Sequence, residues 1–226
     1  MHLREKVIVS WSGGKDSALA LYEVLETGNY EVLELLTTVT KDYDRVSIHG
    51  VRRVLLEQQA NALGFPLEKM LIAKGTSDTE YESILLKALN RHKTNGVFSV
   101  VFGDLFLEDV RKYREGILSK IGMKGIFPLW KRDTRQLART FIDRGFKAVI
   151  TMVDSSFLGK DFAGRTFDAQ FLSDLPSNVD PCGENGEFHT FVYDGPMFRE
   201  RIFFTQGEIV LRENRFYYCD LIPSSE

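Results

Sequence analysis

Six residues near the start of the chain, Ser12-Gly13-Gly14-Lys15-Asp16-Ser17, constrain the fold more than any other feature. They directly follow the apolar run Val7-Ile8-Val9 and directly precede a helix-forming stretch, Ser17-Ala18-Leu19-Ala20-Leu21. A buried strand, a glycine turn and a helix in immediate succession make a cradle for phosphate. Two glycines let the backbone turn sharply and bring its N–H groups close to an anion. The helix then aims its positive end and unpaired N–H groups at the same point. Ser12 and Ser17 offer hydroxyl donors and Lys15 a positive charge, while Ser10 and Trp11 end the strand beside them. Asp16 is an acid inside an anion cradle, and its natural use there is to hold magnesium. The loop is not the common P-loop, because Asp16 separates the lysine from the serine. Nor is it a dinucleotide fingerprint, which needs a third glycine.

The rest of the chain fits a parallel sheet around this loop. The first two-thirds alternate strand and helix, the pattern of a five-stranded parallel α/β sheet wound with helices on both faces. Strands are expected near 6–10, 31–39, 68–73, 97–102 and 148–153, with helices near 16–26, 52–63, 79–93, 108–121 and 134–144. Beyond residue 154 the rhythm changes. A glycine- and proline-rich loop over 178–187 leads to short strands at 189–193, 202–204, 209–212 and 216–221, the last two joined through Glu213-Asn214. The expected division is a phosphate-binding part, 1–154, and a small mixed α+β region, 155–226. The 226 residues carry a net charge of -3, so no basic surplus points to nucleic acid. Cys182 and Cys219 make no CxxC pair, so buried reduced thiols are expected and zinc is not. No leader or membrane span is read from the sequence, which predicts a cytoplasmic protein.

The second dense motif runs Cys182-Gly183-Glu184-Asn185-Gly186-Glu187-Phe188-His189-Thr190. Together with Ser12–Ser17 it resembles the diphthine–ammonia ligase family, whose first domain carries the pyrophosphatase loop of the adenine-nucleotide alpha-hydrolase superfamily. The likeness extends to Phe102-Gly103-Asp104, to Arg111 and Glu115, and to Pro128-Leu129-Trp130. Eukaryotic members favour Glu-Gly-Gly-Glu-x-Glu in the second motif. Here Asn185 replaces a glycine and His189 an acid, a version that resembles a second branch associated with vitamin B12 salvage.

The resemblance implies a Rossmann-like fold and an ATP-dependent amide synthesis. A carboxylate would attack the α-phosphate of ATP, releasing pyrophosphate, and ammonia would then displace AMP from the acyl-adenylate. With no glutaminase domain, free ammonium is the expected nitrogen donor, and a diphthine side chain on elongation factor 2 the expected acceptor. Ser10, Trp11, Ser12, Gly13, Gly14, Lys15, Asp16 and Ser17 would bind ATP, the loop residues holding its phosphates, with Asp16 and Asp104 holding magnesium and Thr37 and Thr38 the adenine. Glu184, Glu187 and His189 would handle the ammonium ion or the acceptor. His49 either closes over the nucleotide or caps a helix. Arg111 and Glu115 form either a surface ion pair or a carboxylate clamp. Trp130 and Asn185 would line the acceptor pocket. A carboxylate in corrinoid salvage and a non-catalytic ATP sensor are the alternatives, and the oligomeric state, a homodimer included, stays open.

Overall fold

A computed structural model describes residues 4–46 and 49–225; Met1–Leu3, the Ser47-Ile48 pair ahead of His49, and Glu226 lie outside the described residues. Strand β1 (Glu5–Ser10) is flanked by β2 (Tyr30–Thr40) on one side and β5 (Ser99–Val101) on the other. Beyond these lie β4 (Leu67–Ile72) and β6 (Lys124–Ile126), giving the parallel order β4-β2-β1-β5-β6. A short β3 (Arg45–Val46) folds back antiparallel on the end of β2. The strand order reverses beside β1. The carboxyl ends of β1 and β5 therefore flank the crevice where open α/β sheets bind ligands.

Helices α1 (Lys15–Thr27), α2 (Arg53–Leu63), α3 (Asp78–Thr94) and α4 (Glu108–Ser119) cover the two faces. Because side chains alternate across a strand, β1 is buried on both sides. Val7 and Val9 pack with α1 and α2, and Ile8 packs with Leu36, Val100 and the residues of α3 and α4. Gly28 and Gly64 end α1 and α2 in the left-handed conformation, at φ 66° and 77°. Ser77 caps α3 by accepting from the Glu80 amide at 3.3 Å. The residue before α1 is Gly14, which has no side chain to cap it; Arg52 before α2 and Leu107 before α4 make no side-chain cap either.

Helix α5 (Thr134–Asp143) leads into a second, antiparallel sheet. Its order is β8-β7-β10-β9, from β7 (Lys147–Asp154), β8 (Phe188–Asp194), β9 (Phe204–Arg212) and β10 (Phe216–Pro223), with short α6 (Ala169–Asp174) packed beside it. Two expectations change here. The strand expected over 148–153 forms as β7 but joins this second sheet, pairing with β8 and β10. The fifth parallel strand is instead β6, Lys-Gly-Ile, which has no apolar run and is made a strand by pairing with β5. Of the short strand expected at 202–204 only Phe204 is in a strand, as the first residue of β9, and the turn at Glu213-Asn214 forms as expected, both residues at positive φ.

Gly103, between β5 and Asp104, passes so close to α1 that a Cβ there would lie 2.7 Å from the Asp16 carbonyl carbon and 2.9 Å from the Ser17 nitrogen. Gly103→Ala should destabilise the fold by about 1–3 kcal/mol through overpacking against backbone. A urea midpoint equal to wild type would show that the two segments separate freely.

Candidate active site

The glycine loop is clamped from two directions. Gly13 sits at φ +78°, and a Cβ on it would come within 2.6 Å of Gln59 Oε1. Gln59, fully buried on α2, donates Nε2 to the carbonyls of Gly13 (2.9 Å) and Val192 (2.6 Å) and accepts from the Trp11 indole (3.0 Å). From the other side β8 docks on the loop. The Val192 amide donates to the Gly13 carbonyl at 2.9 Å, and the Lys15 amide donates to Thr190 Oγ1 at 3.0 Å. Ser12 Oγ accepts from the Gly14 amide at 3.2 Å and lies 3.2 Å from Ser17 Oγ, which donates to the Gly14 carbonyl at 2.9 Å. Gln59 was not singled out in the sequence. Its signal was a polar residue on the apolar stripe Leu55, Leu56, Gln59, Ala60, Leu63.

Lys15 does not point into this cradle. Its ammonium is 4% exposed, donates to both Asp16 oxygens (3.0 and 2.8 Å) and to the Cys182 carbonyl, and faces the Phe188 and Phe167 rings at 5.4 and 5.9 Å. Burial opposes the charged form of Lys15, but the neighbouring Asp16 and the more distant Glu184 outweigh it and raise its pKa. The lysine thus fastens the second motif to the start of α1.

Carboxylates gather around it. Burial raises the Asp16 pKa against the pull of Lys15, and Asp180 and Asp104 add to the rise. Asp104 accepts from Arg114 Nε at 3.1 Å. Glu184 reaches across from the second motif, where its Oε1 accepts from the amides of Leu105 (2.7 Å) and Phe106 (3.3 Å). Burial pushes its pKa up to about 7; those amides pull it down, and Asp16 adds to the rise. Glu187 is placed differently. It is 1% exposed, and its oxygens accept from the Asp180 amide, the Asn185 amide and Asn185 Nδ2, each at 3.0 Å. Glu187 and Asn185 therefore brace each other inside their loop. Asp180 accepts from the Cys182 amide at 2.9 Å and Thr134 Oγ1 at 2.6 Å, completing the frame. Both cysteines are free and buried.

A cavity of about 420 Å³ opens beside the loop. Ser10, Trp11, Ser12, Thr37, Thr38 and His49 form its polar mouth, and Leu85, Leu89 and Ile117 part of its apolar depth. Among the described residues Thr37 Oγ1 and His49 Nδ1, both buried there, have no hydrogen-bond partner. The His49 ring stacks on His189 at 4.3 Å and 31°. Burial, with help from Lys15, lowers the His49 pKa to about 4; burial and the His49 charge place His189 well below its ordinary value too. Both imidazoles are neutral at pH 7. Arg111, Glu115 and Trp130 do not line this cavity: Arg111 Nε donates to Glu115 at 2.8 Å, and its guanidinium lies 4.6 Å from the Trp130 ring.

Two outcomes test this arrangement. Unfolded His49 protonates near pH 6.5 and folded His49 near 4, so the unfolded chain gains protons first as pH falls. The contribution is complete above about 6.5 and is lost toward 4; melting scans should show the midpoint falling over that interval, less steeply in His49→Asn. Lys15→Met should destabilise the protein by about 3–5 kcal/mol, because it leaves buried acids without their cation. An unchanged melting midpoint for Lys15→Met would mean that its ammonium stabilises nothing in the fold.

Comparisons with known proteins bear on what this site is for. The diphthine–ammonia ligase of Schizosaccharomyces pombe is 26% identical over 225 residues, which cover 91% of this chain and 37% of that protein. The human and zebrafish (Danio rerio) diphthine–ammonia ligases are each 26% identical, over 88% and 92% of this chain and 83% and 90% of their own lengths. Among solved structures, one described as a predicted subunit of tRNA methyltransferase from Methanocaldococcus jannaschii aligns with a TM-score of 0.40 at 18% identity, covering 69% of this chain and 80% of that one. Residues 5–125 match the family model of the diphthamide synthase N-terminal domain and residues 133–221 that of its C-terminal domain. The glycine loop falls in the first match and the Cys182–Thr190 motif in the second, and the chain belongs to the diphthamide synthase family.

Proposed function

We propose that this chain is an ATP-dependent amide ligase that converts a carboxylate to a carboxamide with ammonium, forming AMP and pyrophosphate. The observation that carries the reading is the glycine loop in front of α1, whose Ser12 lines a cavity of about 420 Å³, with Glu184 of the second motif held by the Leu105 amide just beyond β5. The curated relatives named above all bear the name diphthine–ammonia ligase, which favours a diphthine acceptor over a corrinoid one or a sensor without chemistry.

Each part has a task in this reading. The amides of the glycine loop and of the first turn of α1, with Ser12 and Ser17, hold the phosphates and stabilise charge on the departing pyrophosphate. Thr37 and Thr38 face the adenine, and the unpartnered Thr37 hydroxyl is free to bond it. Glu184, half ionised near neutrality, takes the proton from ammonium so that the free amine can attack. His49 and His189, both neutral, present hydrogen-bonding nitrogens without a like charge to compete with Lys15. Glu187 and Asn185 act by holding the loop that presents Glu184.

Magnesium fits the acids present. The carboxylates of Asp16, on the first turn of α1, and Asp104, just beyond β5, are hard oxygen donors, and the repulsion between them is what a cation would relieve. Bound there with the triphosphate, magnesium would supply charge neutralisation on the phosphate oxygens. The division into an ATP part, 1–154, and an acceptor part, 155–226, a cytoplasmic location and contact with elongation factor 2 belong to the same reading. Among the described residues no helix is long and apolar enough to cross a membrane.

The test is nucleotide product analysis with magnesium-ATP, ammonium and a diphthine-bearing acceptor. AMP and pyrophosphate should appear in equal amounts and only with acceptor, and glutamine should not replace ammonium. The rate should rise with pH through a limb near 7 as Glu184 ionises, and Glu184→Gln should remove that limb and lower kcat by about 10²–10⁴. Formation of ADP, or AMP release indifferent to acceptor, would overturn the reading.

A further inference from the structure

At the carboxyl ends of β5 and β6 five side chains stack in one continuous row. Arg114 lies over Phe102, with Cζ 4.5 Å from the ring centre, and Phe102 stacks on Phe127 at 5.3 Å and 19°. Arg111 lies 4.5 Å from Phe127 and 4.6 Å from Trp130, in the corner those two rings make at 62°. The two arginines are three residues apart on α4 and so are neighbours on one helix face.

Each arginine is held in the same way. Its face rests on aromatic carbon and its Nε donates to one carboxylate, Glu115 for Arg111 and Asp104 for Arg114. Among the described residues the terminal nitrogens of both make no hydrogen bond to the protein. Stacking fixes the plane of each guanidinium, and the open edge that remains is the planar fork that matches an oxyanion. A solvent-exposed i,i+4 pair needs no such platform. The row begins at the nucleotide cavity, which Phe102 and Arg114 line, and Glu184 is anchored on Leu105 and Phe106, directly after Asp104.

We infer that Arg111, seated on Phe127 and Trp130, receives the carboxylate of the acceptor, with Arg114 continuing the same edge toward the nucleotide. That the carboxylate belongs to an acceptor rests on the amide-ligase reading above; the oxyanion edge rests on the geometry. A carboxylate is favoured over phosphate because the glycine-fronted start of α1 already offers donors for phosphate. Arg114, moreover, already holds a carboxylate, that of Asp104.

Trp130→Phe separates the emission of Trp130 from that of Trp11, the other tryptophan, which lines the cavity. The experiment titrates the protein with glutarate, and separately with inorganic pyrophosphate, while following tryptophan emission. Glutarate should change the emission saturably at millimolar concentration, and Trp130→Phe should remove the change. Arg111→Gln should weaken glutarate at least tenfold. Arg111→Lys, which keeps the charge but not the fork, should recover less than half of that loss on a logarithmic scale. Should Arg111→Gln not fold, Trp130→Leu followed by calorimetry should bind glutarate three- to tenfold more weakly than wild type.

No response to glutarate, a response undiminished in these variants, or displacement of glutarate by pyrophosphate would overturn the inference, the last by making the edge a phosphate clamp. The two readings fail separately. Glutarate bound through Arg111 in a protein that releases no acceptor-dependent AMP would overturn the ligase reading and leave the edge standing. Acceptor-dependent AMP release with an unchanged acceptor KM in Arg111→Gln would do the reverse.

Discussion

The carbonyl oxygen of Gly13 accepts two hydrogen bonds, one from the Gln59 side chain and one from the Val192 amide. Most of the molecule hangs on that pair. Gln59 belongs to α2, Val192 to β8 of the second sheet, and Gly13 to the loop between β1 and α1. Three segments far apart in sequence therefore converge on one backbone atom with no room for water between them. A buried carbonyl left without its donors costs about 1–3 kcal/mol, so the arrangement is self-enforcing: the loop keeps its shape only while β8 is docked. The second sheet accordingly backs the glycine loop, and the second motif, which runs into β8, is carried to that loop by the same strand.

Electrostatics reinforce the docking. A single ammonium, that of Lys15, lies at the meeting point of Asp16 and the Cys182 carbonyl, with Glu184 close enough to feel its charge. Taking these charges out of water costs several kcal/mol per ion, which the close pairing offsets. The balance is incomplete by design of the chain: Glu184 is buried more deeply than its two amide donors can compensate, and its pKa rises to about 7 as a result. The pair of stacked imidazoles shows the opposite response to the same surroundings. Burial and the nearby ammonium both disfavour a second positive charge, so His49 and His189 stay neutral. One low-dielectric pocket thus keeps a cation charged, a carboxyl poised and two histidines neutral, and the difference lies in what each can pair with.

How much of this was legible in the sequence depended on how local the cause was. The strand, loop and first helix are written in consecutive residues, and β1, the glycine turn and α1 stand where periodicity and glycine chemistry place them. Hydrophobic runs find strands but not their partners. Residues 148–153 read correctly as a strand, yet pairing with β8 and β10, which follow it in sequence, puts it in the other sheet. Lys124-Gly125-Ile126 carries no run at all and is a strand because β5 offers it an edge. Side-chain direction was the least legible. A lysine beside two glycines in a phosphate loop reads as a phosphate ligand, but position one of α1 turns it inward, onto a carbonyl 167 residues away. Glu187 reads as a second working acid beside Glu184. Only the fold reveals that it closes a ring of bonds with Asn185 and Asp180.

Those two inward turns change how the motifs divide their labour. Had Lys15 faced the phosphates and Glu187 the acceptor, the two motifs would be independent groups that happen to face one cavity. Instead Lys15 of the first motif holds the backbone of the second, and Thr190, next in line after the second motif's histidine, accepts the first amide of the helix that fronts the first. Each motif contributes structure to the other, and in the proposed reading fewer groups meet a ligand than its residue count suggests: loop amides and hydroxyls from one, Glu184 and the imidazole from the other. Density of polar residues in a motif is therefore a poor guide to the number of groups that meet a ligand. In this chain Lys15, Glu187 and Asn185 are needed to hold still the few that do, because a carboxylate with a pKa near 7 stays useful only while the packing that raised it stays closed.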